Sequence, residues 1–137
     1  MLKRSPKITV GAIIEKNNKI LLTKRNIKPF IDQWCFPGGH VNFGETVQQA
    51  IVREVKEETN LDFVPNFLGY YDEIYPKINW HAVSLAFFGK AKGKEKIDKK
   101  EVKEMGWFSQ KEIKTLKLAF ETKRILGDYF KKYKKID

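Results

Sequence analysis

The segment 46–60 constrains the fold of this chain more than any other, because it predicts a well-defined amphipathic helix. Thr46 followed by Gln49 is a capping-box pattern, in which each side chain satisfies a backbone amide of the other residue at the helix start. Asn60 stands where a left-handed residue commonly ends a helix, and asparagine tolerates that conformation. Apolar residues recur between these ends at helical spacing: Val47, Ala50, Ile51 and Val55. The helix is therefore expected to pack one face against the rest of the protein.

Three glutamates of this helix, Glu54, Glu57 and Glu58, are spaced i, i+3 and i+4 and so share a helical face, which differs from the apolar stripe. Carboxylates at this spacing repel each other, so the cluster gives an ordinary helix no stability. A hard divalent cation such as Mg2+ would reverse that effect, since it binds carboxylate oxygens and commonly shares them with substrate phosphates. The cluster therefore predicts a metal site.

Strand patterns precede this helix. Residues 8–15 and 20–25 are rich in β-branched and apolar residues, and Asn17 and Asn18 between them predict a hairpin turn. Residues 26–44 contain prolines and a pair of glycines, and they are predicted to form a long irregular loop. Long ordered loops tend to be functional, so this loop is a candidate part of the site.

The second half of the chain alternates strand and helix signals. Residues 67–74 and 80–90 have strand character, and residues 101–108 are predicted to be a loop leading into a short strand. A second capping box opens a C-terminal helical region, which Gly127 is expected to weaken or break. Strands before, between and after helices predict an α/β or α+β fold, a mixed sheet covered by helices on two faces.

The composition limits the broad class of protein. The chain has 137 residues, of which 42% are hydrophobic and 32% charged, which predicts one globular domain over residues 1–137. No apolar run approaches the roughly 20 residues of a membrane span. Cys35 is the only cysteine, which excludes an internal disulfide and a cysteine-built zinc site and favours a cytoplasmic location. The net charge of +10 favours polyanionic partners in general, although a lysine-rich surface that serves solubility explains it as well.

Residues 39–61, GHVNFGETVQQAIVREVKEETNL, resemble the Nudix box, whose pattern is G-x5-E-x7-R-E-U-x-E-E-x-G-U with U a bulky aliphatic residue. The positions that agree with it are Gly39, Glu45, Arg53, Glu54, Val55, Glu57, Glu58 and Leu61. Asn60 replaces the final glycine, a change confined to the end of the helix. The chain is thus similar to Nudix hydrolases, among them mutator-type triphosphatases and ADP-ribose pyrophosphatases.

The resemblance implies a fold and a reaction. The Nudix fold is a mixed β-sheet sandwiched between α-helices, in which the box forms a loop, a helix and a second loop. Nudix enzymes hydrolyse the pyrophosphate link of a nucleoside diphosphate derivative with Mg2+ or Mn2+, by attack of water on phosphorus. Metal ions suit this reaction because they neutralise the charge of the pyrophosphate and acidify a bound water.

The same resemblance assigns roles to individual residues. The expected metal ligands in the box region are Glu54, Glu57, Glu58 and the backbone carbonyl of Gly38. Glu54 is also a candidate base, although which glutamate serves as base varies within the family. Arg53 is expected to hold the acidic side chains in place, and Glu45 to support that arrangement. Gly38 and Gly39 are expected to contact the substrate.

Two further site residues are expected outside the box. Glu95, Glu101 and Glu104 are candidates for an additional metal-binding carboxylate. Glu101 is preferred, because in mutator-type enzymes such a glutamate precedes a tryptophan by six residues, as Glu101 precedes Trp107. Arg25 ends the second strand where relatives present a phosphate-binding arginine. Side chains that belong either to a base pocket or to the core are Phe36, Tyr70, Tyr71, Trp80 and His81.

Two substrates remain open. The strings PGGHVNFGET and WHAVSLAFFG resemble small triphosphatases and favour a nucleoside triphosphate, oxidised or not, that yields a monophosphate and pyrophosphate. Pro76 lies near the position of a proline in ADP-ribose pyrophosphatases and supports the alternative, which yields AMP and ribose 5-phosphate. A nucleotide- or RNA-binding domain without turnover is a remote third alternative. We expect a nucleotide-type small-molecule partner, with neither membrane nor nucleic acid, and leave a homodimer open.

Overall fold

The computed structural model describes residues 4–98 and 100–133. The strands in this part of the chain are β1 (Lys7–Lys16), β2 (Lys19–Arg25), β3 (Trp34–Cys35), β4 (Gly38–His40), β5 (Asp62–Phe63), β6 (Asn66–Tyr75), β7 (Trp80–Gly89), β8 (Ala91–Lys92) and β9 (Val102–Ser109). The helices are α1 (Val47–Thr59), α2 (Gln110–Ile113) and α3 (Thr122–Tyr133), and a 3-10 helix (Pro76–Ile78) connects β6 to β7. No helix among the described residues is long and apolar enough to cross a membrane.

Five strands lie side by side in a mixed sheet in the order β3, β2, β1, β7, β6. β1 runs parallel to β7, whereas β6 is antiparallel to β7. β4 pairs antiparallel with β1, and β9 pairs antiparallel with β2. β4 leads into α1, and residue 101 lies at the start of β9. These pairings therefore place β4, which precedes α1, beside β1, and the start of β9 beside β2. Since β1 and β2 are neighbours, the two segments lie on the same part of the sheet.

The core lies on both faces of the sheet, because successive side chains of a strand point to opposite sides. Ile14 of β1 belongs to a buried cluster that contains Ile51 of α1. Its neighbour Ile13 belongs to a second buried cluster that contains Ile125 of α3. α1 thus covers one face and α3 the other, which confirms the predicted mixed sheet between helices.

The strongest local predictions are confirmed. β1 and β2 form a hairpin, and its two turn residues, Asn17 and Asn18, have φ angles of 52° and 60°. Both arms of the capping box of Thr46 and Gln49 are present at the start of α1. Asn60 ends the helix in the left-handed conformation with φ 67°. Each of these features depends on residues that are close in sequence, which is why pattern reasoning located them.

Two weaker predictions are wrong, and a third is wrong in part. Residues 26–44 are not wholly irregular, since they contain β3 and β4, which are too short to show a strand period. β9 covers almost all of residues 101–108 instead of a short part of them. Gly127 does not break α3, which runs without interruption through it. The buried neighbours Ile125 and Leu126 pack against the sheet, and that packing outweighs the low helix propensity of one glycine.

Candidate active site

The glutamate cluster of α1 is divided into a buried pair and one outward carboxylate. Glu54 and Glu58 are each 8% exposed, whereas the side chain of Glu57 is 55% exposed. Successive helical residues turn by about 100°, so residues one full turn apart nearly align while adjacent ones diverge. The shared acidic face predicted from spacing is thus only partly correct, because Glu54 and Glu58 lie at the edge of the face that packs on the sheet.

Arg53 connects the acidic groups of α1 to the loop that precedes the helix. Its Nε and Nη2 donate to the two carboxylate oxygens of Glu45, at 2.7 and 3.0 Å, a bidentate pair. Its Nη1 donates to Glu54 at 2.8 Å and to Glu57 at 3.2 Å. Nη2 also donates to the carbonyl of His40 at 2.9 Å. This network holds the loop against the helix and fixes the carboxylate of Glu54.

The two glycines of β4 are required by their close contacts. The amide N–H of Gly38 donates to Oε1 of Glu58 at 2.9 Å. A Cβ at residue 38 would overlap the carbonyl oxygen of Val10 in β1. A Cβ at residue 39 would lie 2.6 Å from the carboxylate of Glu54. Glycine at residue 38 thus lets β4 approach β1, and glycine at residue 39 leaves room for the carboxylate of Glu54.

The electrostatics of the buried pair are unusual for carboxylates. Burial raises the pKa of Glu58 well above its ordinary value, and the charges of Glu54 and Glu101 raise it further. Burial also raises the pKa of Glu54, although its hydrogen bond to Arg53 opposes the shift. Glu45 shows the opposite behaviour, because its hydrogen bonds to Arg53 lower its pKa to about 2. Glu45 is therefore a permanent anion, whereas the buried pair retains an affinity for protons or cations.

A pocket opens beside Glu58, whereas Glu54 and Glu57 do not line it. The predicted site residues that line it are Arg25, Gly38, Gly39, Glu58 and Glu101. The pairing of β2 with β9 places Arg25 opposite Val102, the residue after Glu101, which explains why two residues so distant in sequence meet. Arg25 is held there by a 2.7 Å bond from its Nε to the Pro29 carbonyl, and its guanidinium lies 4.8 Å from the ring centre of Phe120.

The other candidates for an additional carboxylate lie elsewhere. Glu104 forms an ion pair with Lys24 at 3.3 Å on the surface, and its side chain is 61% exposed. Neither Glu104 nor Glu95 lines the pocket. Glu101 does, and its charge acts on both Glu54 and Glu58.

The aromatic candidates divide between pocket and other locations. Phe36 and Trp80 line the pocket, whereas Tyr70, Tyr71 and His81 do not. Among the pocket residues that the sequence analysis did not assign to the site are Glu73 and Phe120. Glu73 is an acid at an inward position of β6, and that position in the strand alternation was a usable signal. Phe120 lies in the connection before α3 with φ 53°, and nothing in the sequence pattern indicated it.

The donor set of the site suits a hard cation better than a soft one. Glu58 and Glu101 line the pocket, Glu54 lies close enough for its charge to act on Glu58, and hard divalent ions prefer oxygen ligands. Within residues 4–98 and 100–133, no three Asp, Glu, His or Cys side chains already converge as a metal cage. Two of the box carboxylates, Glu54 and Glu57, are bonded to Arg53 instead. The oxygen donors present therefore fit a hard divalent cation, which Glu54, Glu57, Glu58 and Glu101 would hold and which would supply positive charge at the pocket.

The site thus consists of a mixed sheet between helices and a carboxylate-bearing helix whose Arg53 ties it to Glu45 and to the carbonyl of His40. The family model of the NUDIX domain matches residues 5–129. The chain therefore belongs to the Nudix hydrolase family, which confirms the predicted enzyme class. Hydrolases of this family generally use a divalent metal ion and act on nucleotide-derived substrates.

Relatives and solved structures agree with that assignment. The chain is 40% identical over 127 residues to an ADP-ribose pyrophosphatase of Methanocaldococcus jannaschii, which covers 92% of this chain and 74% of the relative. It is 30% identical over 101 residues to an 8-oxo-dGTP diphosphatase of Proteus vulgaris, which covers 73% of this chain and 88% of the relative. The crystal structure of a MutT NUDIX hydrolase from Burkholderia pseudomallei superposes with a TM-score of 0.86 at 26% identity, covering 91% of this chain and 98% of the other.

Proposed function

We propose that this protein hydrolyses the pyrophosphate link of a nucleoside diphosphate derivative with Mg2+, which Mn2+ replaces, by attack of water on phosphorus. The observation that supports this most directly is the meeting of Glu58, Glu101 and Arg25 at one pocket, with Glu54 close enough for its charge to act on Glu58. The acids attract a cation, and the arginine attracts phosphate oxygens. A pyrophosphate needs both, because its own negative charge shields it from a nucleophile.

The residues of this site divide the work among them. The metal ligands we propose are Glu54, Glu57, Glu58, Glu101 and the carbonyl of Gly38. When bound, the cation supplies charge neutralisation and an acidified water. Arg25 is proposed to hold a phosphate group, since a guanidinium matches phosphate geometry. Arg53 and Glu45 act on the ligands and not on the substrate, because Arg53 fixes Glu54 and Glu45 anchors Arg53 to the loop.

The base that accepts the proton of the attacking water is proposed to be one of the buried pair. Both Glu54 and Glu58 have raised pKa values, which makes them better bases than an exposed carboxylate. They are held by different donors, Glu54 by Arg53 and Glu58 by the amide of Gly38. The pH profiles of kcat for Glu54→Gln and Glu58→Gln distinguish the two candidates. Loss of the base removes the fall in kcat at acidic pH, so only the variant that lacks the base should lose it.

The comparisons bear on the choice of substrate. The sequence strings favoured a nucleoside triphosphate, but the relative that is 40% identical and aligned over 92% of this chain carries the name ADP-ribose pyrophosphatase. The 8-oxo-dGTP diphosphatase is 30% identical and aligned over 73%. We therefore propose ADP-ribose as the first substrate, giving AMP and ribose 5-phosphate, and an oxidised nucleoside triphosphate as the second.

A substrate panel with Mg2+ and with Mn2+ tests the proposal. It contains ADP-ribose, canonical and oxidised nucleoside triphosphates, dinucleoside polyphosphates and nucleotide sugars, with chromatographic identification of both products. AMP with ribose 5-phosphate supports the first substrate, and a monophosphate with pyrophosphate supports the second. Glu58→Gln should lower turnover by orders of magnitude, while Glu104→Gln serves as the matched control because its carboxylate lies on the surface beside Lys24. The proposal is contradicted if the folded protein hydrolyses no compound of the panel, or if Glu58→Gln hydrolyses its substrate at the wild-type rate.

A further inference from the structure

The pocket has an acidic end and an aromatic end, with Arg25 between them. The charge of Arg25 acts both on Glu58 at the acidic end and on Glu73 at the other. At the aromatic end the rings of Trp80 and Phe120 lie 5.4 Å apart, centre to centre. A nucleoside diphosphate has the same order of groups, from charged diphosphate to flat base. A base stacks well on aromatic side chains, so the aromatic end is where it would lie.

Glu73 is the polar group of interest at the aromatic end. It lines the pocket although it is only 4% exposed, and the indole N–H of Trp80 donates to its Oε1 at 3.2 Å. Burial raises the pKa of Glu73 to about 7. The Trp80 hydrogen bond, the charge of Arg25 and a hydrogen bond from the backbone of Glu121 oppose the shift, whereas the charge of the Glu121 side chain reinforces it. Glu121 also accepts a 2.6 Å hydrogen bond from the hydroxyl of Tyr75. The catalytic acids of the site leave this carboxyl unused.

We propose that Glu73 determines the base preference of the pocket by pairing, as a neutral carboxylic acid, with the adenine of a nucleoside diphosphate. This inference rests on the proposed function. A protonated carboxyl offers one donor and one acceptor side by side. The edge of adenine offers the complement, a ring-nitrogen acceptor beside the N6 amino donor. An ionised carboxylate is acceptor-only and suits instead the adjacent N1–H and N2 amino donors of guanine. The preference for adenine over guanine should therefore decline as the pH rises and Glu73 ionises.

The test is the ratio of kcat/KM for ADP-ribose to kcat/KM for GDP-ribose, measured with Mg2+ at several pH values. The ratio cancels every pH effect on the chemical step, because both substrates share it. In the wild type we expect the ratio to fall at least about tenfold between about pH 6 and pH 8, since the neutral fraction of a group with a pKa of about 7 falls by that factor.

Two variants sharpen this experiment. Glu73→Gln keeps a donor and an acceptor at every pH, so its ratio should favour adenine and no longer change with pH. Asp72→Asn is the matched control, since Asp72 is the exposed neighbouring acid on β6 and does not line the pocket. It should retain the pH dependence of the wild type.

A wild-type ratio that stays constant with pH overturns the inference, as does Glu73→Gln with an unaltered slope. The wild-type ratio alone decides the question if Glu73→Gln does not fold. Calorimetric binding of ADP and GDP over the same pH range separates the two proposals. A pH-dependent preference for ADP without turnover of either substrate would refute only the proposed hydrolysis. Turnover with equal and pH-independent use of both bases would refute only the role of Glu73.

Discussion

Substituting Gly39 by alanine tests the position of the buried acidic pair without removing any charged group. A Cβ at residue 39 would lie 2.6 Å from both Cδ and Oε2 of Glu54, whereas ordinary Cβ contacts begin at 3.4 Å. The Glu54 carboxylate therefore has to retreat by about 0.8 Å. Its bond from Arg53, now 2.8 Å long, would have to change with it. A misplacement of about 1 Å in a catalytic arrangement can cost roughly 100-fold in rate.

We therefore expect Gly39→Ala to lower kcat about 100-fold and to raise the Mg2+ concentration needed for half-maximal rate. Stability should change little, because the group that moves is the end of a side chain and not the backbone. The assay is AMP release from ADP-ribose over a Mg2+ titration, together with a thermal melt of each protein. If ADP-ribose is not turned over, the best substrate of the panel takes its place.

Two neighbouring glycines provide the controls. Gly38→Ala should unfold at a lower temperature than the wild type, because its Cβ would overlap the backbone carbonyl of Val10 and separate β4 from β1. Gly44→Ala meets nothing within 4 Å but has φ 85°, so it should lose about 1 kcal/mol of stability and retain its activity. A folded Gly39→Ala protein with wild-type kcat and Mg2+ requirement would refute the argument that Glu54 acts from the position seen here.

Four further substitutions follow from the same structure. Glu58→Gln should lower turnover by orders of magnitude yet raise the melting temperature of the metal-free protein at neutral pH, because a raised carboxyl pKa means that stability is lost as pH rises through it. Glu101→Gln should reduce turnover, and wild-type rates across the pH profile would remove it from the site. In Glu45→Gln, the free energy of urea unfolding should fall less steeply at low pH than in the wild type. The pKa of Glu45 is lowered to about 2, so its carboxylate stabilises the fold only while it is ionised. Gly127→Ala should add up to about 1 kcal/mol in urea unfolding, and any loss would contradict the open space around it.

Local patterns predicted the elements whose signals lie within a few residues. The hairpin depended on Asn17 and Asn18, and α1 depended on its two caps, so both were located without knowledge of the rest of the chain. β3 and β4 were missed because two or three residues carry no period, and they exist only because longer strands offer them partners. Gly127 does not break α3, because helix propensity leaves out the burial of its neighbours, which keeps the helix continuous.

The same distinction applies to the candidate site. The Glu101 candidate rested on a spacing to a tryptophan, and the structure places that residue at the pocket through the pairing of β2 with β9. Glu73 was missed because its strand position indicates burial but says nothing about a pocket. Its neighbours there, Trp80 and Phe120, come from β7 and from the connection before α3.

The sequence by itself determined that one capped helix carries three carboxylates and an arginine, since helical geometry converts their spacing directly into shared or adjacent faces. It also determined the family, because the box lies within one continuous segment. Only the tertiary structure decided that Glu54 and Glu58 are buried while Glu57 is exposed. It also decided that Arg25 and Glu73 lie in one pocket. Burial and pocket membership depend on how distant strands pair, and that pairing is a property of the whole sheet and not of any one segment.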